Sequence, residues 1–322
     1  MKTFLGYMVW SAVLLLAQSA GAQSWPARPL HLIVTFPPGG TSDIAARIIG
    51  ERLGARLGQP VIVDNRPGVA GILGTELAVK SAPDGYTLLL TSTAPIAFAP
   101  STPKPLSYDP VKDLAHVAIL GTIPLALVVK LELPAKNATE VAALAKDKPD
   151  ALNFSSSGNA TPSHFMLERF KLSAGVRITH VPYKGSAPAL GDIMAGRIDG
   201  TIDSLPALLA QVRSAKVKAL AVTGRERAPQ LPDVPTLAES GFPDLVVNTW
   251  FGIAVPAGVP AEIVQRLNQE ILAALQVPEV KARFDELTFA PAPMSAAETQ
   301  RFMQSEIERW RPVVQAAGIS FQ

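Results

Sequence analysis

A repeated strand–loop–helix unit constrains the fold of this chain more than any other feature. Leu30 to Phe36 (LHLIVTF) is a short β-rich apolar run closed by Pro37-Pro38-Gly39-Gly40. The segment that follows carries Ile44, Ile48, Ile49, Leu53 and Leu57 close to one helical face. Val61-Ile62-Val63 then reads as a strand, Gly71 to Lys80 as a helix, and Thr87 to Leu90 as a buried strand after the Asp84-Gly85 turn. A βαβαβ order of this kind predicts a parallel sheet covered by helices.

The pattern returns with new material. Strands are expected at Leu125–Lys130, Leu152–Ser155, Ile178–Val181, Thr201-Ile202 and Lys218–Thr223, with helices at Ala138–Asp147, Ser163–Leu172 and Ala187–Ala195 between them. A long loop rich in Pro and polar residues, Gly224 to Asp244, precedes a mostly helical C-terminal third. There, Ala261 to Leu275 places Ile263, Leu267, Ile271 and Leu275 on one stripe, and Glu298 to Ala316 forms a last helix. Trp250-Phe251 opens an apolar run that reads as core, with a Trp walling a ligand pocket near the lobe junction as the alternative. No long hydrophilic linker divides the two α/β units, so they are expected to be lobes sharing a hinge. No fixed-period repeat or low-complexity tract interrupts them.

The N-terminus reads as a cleavable leader over residues 1–22. Lys2 is its positive region, Met8 to Ala17 its apolar stretch, and Ala20-Gly21-Ala22 its small-x-small cleavage site. The apolar stretch is short of the ~20 residues that span a bilayer, and no later one approaches that length, so the mature chain is expected to be soluble. Cysteine is absent, which removes disulfides, thiolate metal sites, cysteine nucleophiles and lipidation at a processed Cys. An exported chain with no anchor stays with its cell only where an outer membrane closes the compartment, so the periplasm is the expected location. Net charge is only +2 with no Lys/Arg block, which argues against nucleic acid or an anionic membrane as partner.

Three strand ends open through Gly/Ser/Thr/Pro-rich loops directly into helices: Phe36 to Asp43, Ser155 to His164 and Tyr183 to Pro188. In parallel α/β sheets such loops lie at the carboxyl ends of the strands, where ligands bind. Each helix start offers free N–H groups and the positive end of a dipole to an anion, worth about 0.3–1 kcal/mol apiece. Gly39, Gly40 and Gly158 let the backbone approach closely. Any one loop is equally an ordinary capped helix, with Thr41, Ser42 or Asp43 and then Thr161 as caps and Pro162 in the first helical position. Recurrence in both units favours a binding cleft.

Enzyme motifs are missing. The first loop lacks the Gly-Lys-[Ser/Thr] end of a phosphate loop, and there is neither a G-x-G-x-x-G after a strand nor a G-x-S-x-G elbow. Ser163 and His164, adjacent on a helix, point about 100° apart and cannot act as nucleophile and base. His164 and Asp203 could form part of a charge system, with a polar pair that fixes a loop as the blander reading. His31, His116, His164 and His180 lack metal-ligand spacing, and His31 and His180 read as structural. Asp199 and Asp203, flanking a strand, share no helical face. No metal and no cofactor are expected.

Beyond these local features, SWPARPLHLIVTFPPGGTSDIAARIIGERL and VDNRPGVAGILGTELAVKSAPDGYTLLL resemble the N-terminal signature of the tripartite tricarboxylate transporter substrate-binding proteins, the Bug family. The likeness continues in order through FSSSGNATPSHFMLERF, HVPYKGSAPALGDIMAGRID, VKALAVTGRERAPQLPDVPTLAESG and WFGIAVPAGVP, across essentially the whole mature chain. The resemblance implies an α/β, two-lobe periplasmic-binding-protein fold, a type II-like Venus flytrap in which each lobe is a mostly parallel sheet flanked by helices. It implies lobe 1 at 23–122 plus 224–322 and lobe 2 at 123–223, with hinges near Gly121 to Pro124 and near Thr223. It also implies a monomeric receptor, not an enzyme, that captures a small organic carboxylate and delivers it to cytoplasmic-membrane subunits of a transporter. A sensor using the same cleft is an alternative, and a hydrolase using His164 and Asp203 a weaker one.

By position in the family, the ligand's carboxylate would meet Pro38, Gly39, Gly40, Thr41 and Asp43 in lobe 1. In lobe 2 it would meet Ser156, Ser157, Gly158, Ala160, Thr161 and His164. Tyr183, Lys184 and Asp203 match positions near the cleft, and Ser92 and Thr93 are further expected contacts. Two departures stand out: Ala160-Thr161 replaces a Gly-Ser or Gly-Thr, and Pro37-Pro38 replaces a single proline.

Overall fold

The computed structural model describes residues 25–102 and 105–317. The expected leader, residues 1–22, lies outside them. Lobe 1 begins with β1 (Leu30–Val34), whose residues are buried except for His31. Helix α1 (Thr41–Leu57) follows and ends at Gly58 in the left-handed conformation, φ 72°, the usual glycine stop. Strand β2 (Val61–Asn65), a helical turn into α2 (Ile72–Val79), and β3 (Thr87–Ser92) complete the predicted unit. β1 lies between β2 and β3, parallel to both.

Strand β4 (Leu114–Val129) ties the two lobes together. Its first part, Leu114 to Pro124, runs antiparallel to β9 (Asn248–Pro256), which is itself antiparallel to β3. Its last part, Leu125 to Val129, lies between β7 (Gly200–Ser204) and β8 (Lys218–Val222), antiparallel to both. The lobe 2 sheet continues through β5 (Asn153–Ser156), parallel to β7 and to β6 (Thr179–Pro182). Helices α3 (Ala138–Asp147), α4 (Pro162–Ala174), α5 (Ser186–Met194) and α6 (Leu205–Arg213) belong to this lobe. The chain then returns through β9 to α7 (Ala261–Leu275), α8 (Pro278–Glu286) and α9 (Ala296–Ala317).

Each sheet is therefore mixed: the βαβ strands pair parallel, and the strands that cross between lobes join them antiparallel. Register shifts along β4 between His116 and Ala118, Ile119 and Gly121, and Leu127 and Val128 mark bulges, which bend a strand and increase its twist. The Thr223 hydroxyl accepts from Leu125 N–H at 2.8 Å and donates to Val247 O, so one side chain ties both crossing segments together.

Two apolar clusters belong to one lobe each, around Leu32, Ile49 and Ile253 in lobe 1 and around Val128, Ile193 and Leu208 in lobe 2. A third is shared by both. In it, Phe98 of lobe 1 packs edge-on against Phe165 of α4 at 4.4 Å and against Trp310 of α9 at 4.7 Å. Such aromatic pairs add about 0.5–1.5 kcal/mol to their burial. Among the described residues no helix is long and apolar enough to cross a membrane.

Candidate functional site

At the front, the carboxyl ends of β1, β3, β5, β6 and β7 converge with the start of β9 on one hollow, open to solvent. Lobe 1 contributes Phe36 to Pro38, Gly40 to Ser42, and Ser92-Thr93. Lobe 2 contributes Ser157, Thr161 to Ser163, Lys184 to Pro188, and Asp203-Ser204. Leu125 and Thr249 to Phe251 form the floor where the crossing strands meet.

The lobes touch across this hollow. Thr41 Oγ1 and Ser204 Oγ are 2.9 Å apart. A β-carbon built on Gly185 would lie 3.7 Å from Pro37 Cγ, so the two rims are within contact range.

The first loop is shaped by Asp43. Gly39, at φ 81°, donates its N–H to Asp43 Oδ2 at 2.9 Å, and Arg47 one turn on holds the same carboxylate. Burial, the largest influence on Asp43, pushes its carboxyl up. Hydrogen bonds from Arg47, Gly39 N–H and Asn65 outweigh it and hold the group below the usual carboxylate range. Asn65 Nδ2 also donates to Phe36 O at 3.0 Å. With Asp43 committed to the loop and no side chain capping α1, the start of that helix faces the hollow at Gly40, Thr41 and Ser42.

The second loop is held differently. Thr161 Oγ1 donates to Gly158 O at 2.7 Å and caps α4 by accepting from His164 N–H. His164 Nδ1 accepts from Ala160 N–H at 3.1 Å, and its ring stacks on His180 at 3.9 Å between centroids and 13° between planes. His180 Nε2 in turn meets Ser156 Oγ at 2.7 Å. Burial first, then the charges of His180 and Lys171, pull His164 down to about 3, and burial is also the leading cause that lowers His180. Both rings are therefore neutral at neutral pH. Ala160, where the resemblance led one to expect glycine, stands at φ 56°, a left-handed conformation that disfavours a β-carbon. Tyr183 N–H and Gly185 N–H donate to Ser156 O and Ser157 O, both at 3.0 Å, and so fasten the third loop to the second.

The expected contact residues therefore separate. Pro38, Gly40, Thr41, Ser92, Thr93, Ser157, Thr161, Lys184 and Asp203 line the hollow. Gly39, Asp43, Ser156, Gly158, Ala160, His164 and Tyr183 stand behind it as braces of the loops. Tyr183 Oη donates to Asp192 Oδ2 rather than into the cleft. His164 and Asp203 form no pair, because Asp203 takes Ser204 N–H at 2.8 Å and Ser157 Oγ at 3.4 Å.

Ser163 and Ser42, which lie within the two expected ligand-holding stretches without being named as contacts, line the hollow, and so do Ser186, Ser204 and Thr249. Trp250 and Phe251 are core as expected and also wall the hollow. The Trp250 indole N–H is fixed by Glu306 at 2.8 Å. The pocket-wall reading and the core reading of Trp250 both hold, since the fold brings residue 250 beside residue 41.

Two features define the chemistry. Among the described residues, the buried hydroxyls of Ser92 and Ser163 have no hydrogen-bond partner, one in each lobe, beside the same hollow. Buried hydroxyls are normally satisfied, so these are donors waiting for an acceptor. Lys184, at the exposed rim, is the only cation among the lining residues. The site therefore offers an organic anion hydroxyls, main-chain N–H groups and helix starts rather than an ion pair. Among the described residues no group of three or more His, Asp or Glu side chains gathers as a metal site.

Comparisons with known proteins agree on one family. The family model described as "Tripartite tricarboxylate transporter family receptor" matches residues 45–319. Protein BugT of Bordetella pertussis is 38% identical over 304 residues, covering 94% of this chain and 93% of that protein. An R. palustris protein solved with adipate superposes with a TM-score of 0.88 at 36% identity, covering 92% of this chain and 99% of the other. MatC from Rhodopseudomonas palustris with bound malate gives a TM-score of 0.85 at 32% identity, covering 90% and 100%.

Proposed function

The chain belongs to the tripartite tricarboxylate transporter receptor family, a family of solute-binding receptors, and we propose that it captures a small organic carboxylate and hands it to the membrane subunits of such a transporter. It does so in the periplasm, as a monomer and without chemistry on its cargo. The observation that carries this reading is the pair of unpartnered serine hydroxyls, Ser92 and Ser163, beside one hollow from opposite lobes. A carboxylate has two oxygens and about four acceptor positions, enough to take both hydroxyls and the N–H groups at the start of α1. Contacts in both lobes give the closed state extra affinity, which is what a ligand needs to shift an open–closed equilibrium.

Closure turns about the crossing segments, near Gly121 to Pro124 in β4 and near Thr223 on the return. Lobe 1 is thus 23–122 plus 224–322, and lobe 2 is 123–223. The ligand's carboxylate sits among Thr41, Ser92, Ser157, Thr161 and Ser163, and its remainder lies toward Phe36, Trp250 and Lys184. Relatives solved with adipate and malate make dicarboxylates of four to six carbons the first compounds to try.

Melting curves of the mature protein against acetate, succinate, malate, glutarate, adipate and benzoate test this. A true ligand at a hundred times its Kd stabilises by about 2.7 kcal/mol and raises the melting temperature by several degrees. Flat curves across that panel would overturn the proposal.

A further inference from the structure

One group in the hollow is unexplained by carboxylate capture. Asp203, at the end of β7, shares the hollow with the two unpartnered serines, and it is 4% exposed. Its hydrogen bonds come from Ser157 Oγ, Ser204 N–H and the Ser186 hydroxyl, and none comes from a cation. Among the described residues no cation pairs with it. Its β4 neighbour is Ala126, and Lys184 on the β6–α5 loop is at the exposed rim. His164 and His180 on α4 and β6 are turned to Ala160 and Ser156. Across the cleft, Asp43 is engaged by Arg47 and Gly39. A buried carboxylate thus stands unpaired in the wall of an anion site.

We propose that Asp203 takes up one proton as the ligand's carboxylate enters, so that the receptor captures an organic anion and a proton together. The proton comes from solvent or buffer, whose acid form loses it. It resides on an Asp203 carboxyl oxygen, and the resulting O–H is a hydrogen-bond donor in a site otherwise made of donors. No covalent bond to the ligand forms or breaks.

Magnitudes favour this outcome. Two carboxylates about 4 Å apart in a medium of effective dielectric about 20 repel enough to weaken binding by roughly a thousandfold. Burial already raises the Asp203 carboxyl to about 6, partly offset by its three serine donors. Adding a proton at pH 7.5 therefore weakens binding by only about thirtyfold. The cheaper route is neutralisation.

The inference rests on the carboxylate-receptor reading, and the two fail differently. The test is calorimetric titration of the mature protein with succinate and adipate at pH 6.5 to 8.5, where both acids are ionised, in buffers of different ionisation enthalpy. Wild type is expected to absorb close to one proton per ligand at pH 7.5, with Kd weakening about tenfold per pH unit above 7. Asp203→Asn, which presents an amide donor in the same place, is expected to absorb none, to bind with a flat pH profile, and to bind about a hundredfold tighter than wild type at pH 8. The wild-type profile needs no variant, so a misfolded Asp203→Asn does not rescue the idea. Binding without proton uptake in wild type, or equal uptake in both proteins, overturns this inference alone. Absence of binding heat from either acid in either protein removes the receptor reading for these acids and this inference with it.

Discussion

The two sides of the cleft reach the same end by opposite physics. The lobe 1 loop is fixed by an ionised pair, Asp43 with Arg47, whose Arg47 side chain is 56% exposed. The lobe 2 loop is fixed by neutral groups, the His164–His180 stack and the hydroxyls of Ser156 and Thr161. Their aspartates differ likewise: Asp43 is held below its ordinary value and Asp203 is raised to about 6. The lesson is that neither loop needs a cation of its own facing the hollow, where Lys184 at the rim is the one lining cation. Lobe 1 uses its arginine to shape a loop, and lobe 2 shapes its loop without charge, so both leave main-chain and hydroxyl donors facing the hollow.

The largest effect should come from the neutral side. His164→Ala removes the acceptor of a buried N–H and unstacks His180, so about 2–4 kcal/mol of stability is expected to go. Carboxylate affinity should fall about tenfold or more with it. Denaturant melts and calorimetry check this, and His164→Asn, which can restore an acceptor, is expected to recover part of the affinity.

Next is Asp203→Asn, read as stability. A carboxyl raised in the folded state contributes stability that is complete below its unfolded value near 3.8 and is lost as pH rises through about 6. The variant lacks that loss. It should be more stable than wild type by roughly 2–3 kcal/mol at pH 7.5, and the advantage should disappear toward pH 4. Equal pH profiles for the two proteins would show that Asp203 is not strained by burial.

Asp43→Asn should do the reverse and do less. A depressed carboxyl contributes stability above its unfolded value, lost as pH falls through its folded value. With Arg47 largely in solvent, the expected loss is about 1 kcal/mol at pH 7, shrinking below pH 4 and in high salt. Denaturant melts at several salt concentrations separate this from the salt-insensitive lobe 2 effect.

The smallest effect belongs to the contact that joins the two sides. Thr41→Val breaks the hydrogen bond to Ser204, and a two- to fivefold loss of affinity is expected with the melting temperature of the free protein unchanged. An equal loss of stability would mean that the contact holds the resting fold rather than the closed state.

Much of this arrangement is legible in the residues. β1, α1, β2, α2 and β3 were expected nearly where they stand, because each apolar run has its own glycine or proline stop. Ala138–Asp147 and Ala261–Leu275 match residue for residue, one capped by Asn137 accepting from Glu140 N–H, the other carried by a strong apolar stripe.

The segments that escaped lack such punctuation. Leu114 to Pro124 is a strand interrupted by Gly121 and Pro124, tolerated because the chain bulges and changes partners there. Asn248 to Pro256 is a run without polar residues after Thr249, so no period distinguishes strand from buried helix. Leu205–Arg213 follows β7 with no loop between them, and Pro278–Glu286 buries only Val280 and Phe284.

At the site, loop chemistry was readable and depth was not. Gly39, Asp43, Gly158 and His164 belong to the right loops, yet only folding decides that they brace while Ser163, Ser204 and Trp250 face the hollow.

Hydrogen–deuterium exchange with and without a bound carboxylate tests the central claim most directly. Protection is expected to rise together in the segment around Gly40 to Ser42 and the segment around Ser157 to Ser163, the two loops that face each other across the cleft. Protection confined to one lobe, or found only outside both loops, would contradict an anion held jointly by the two.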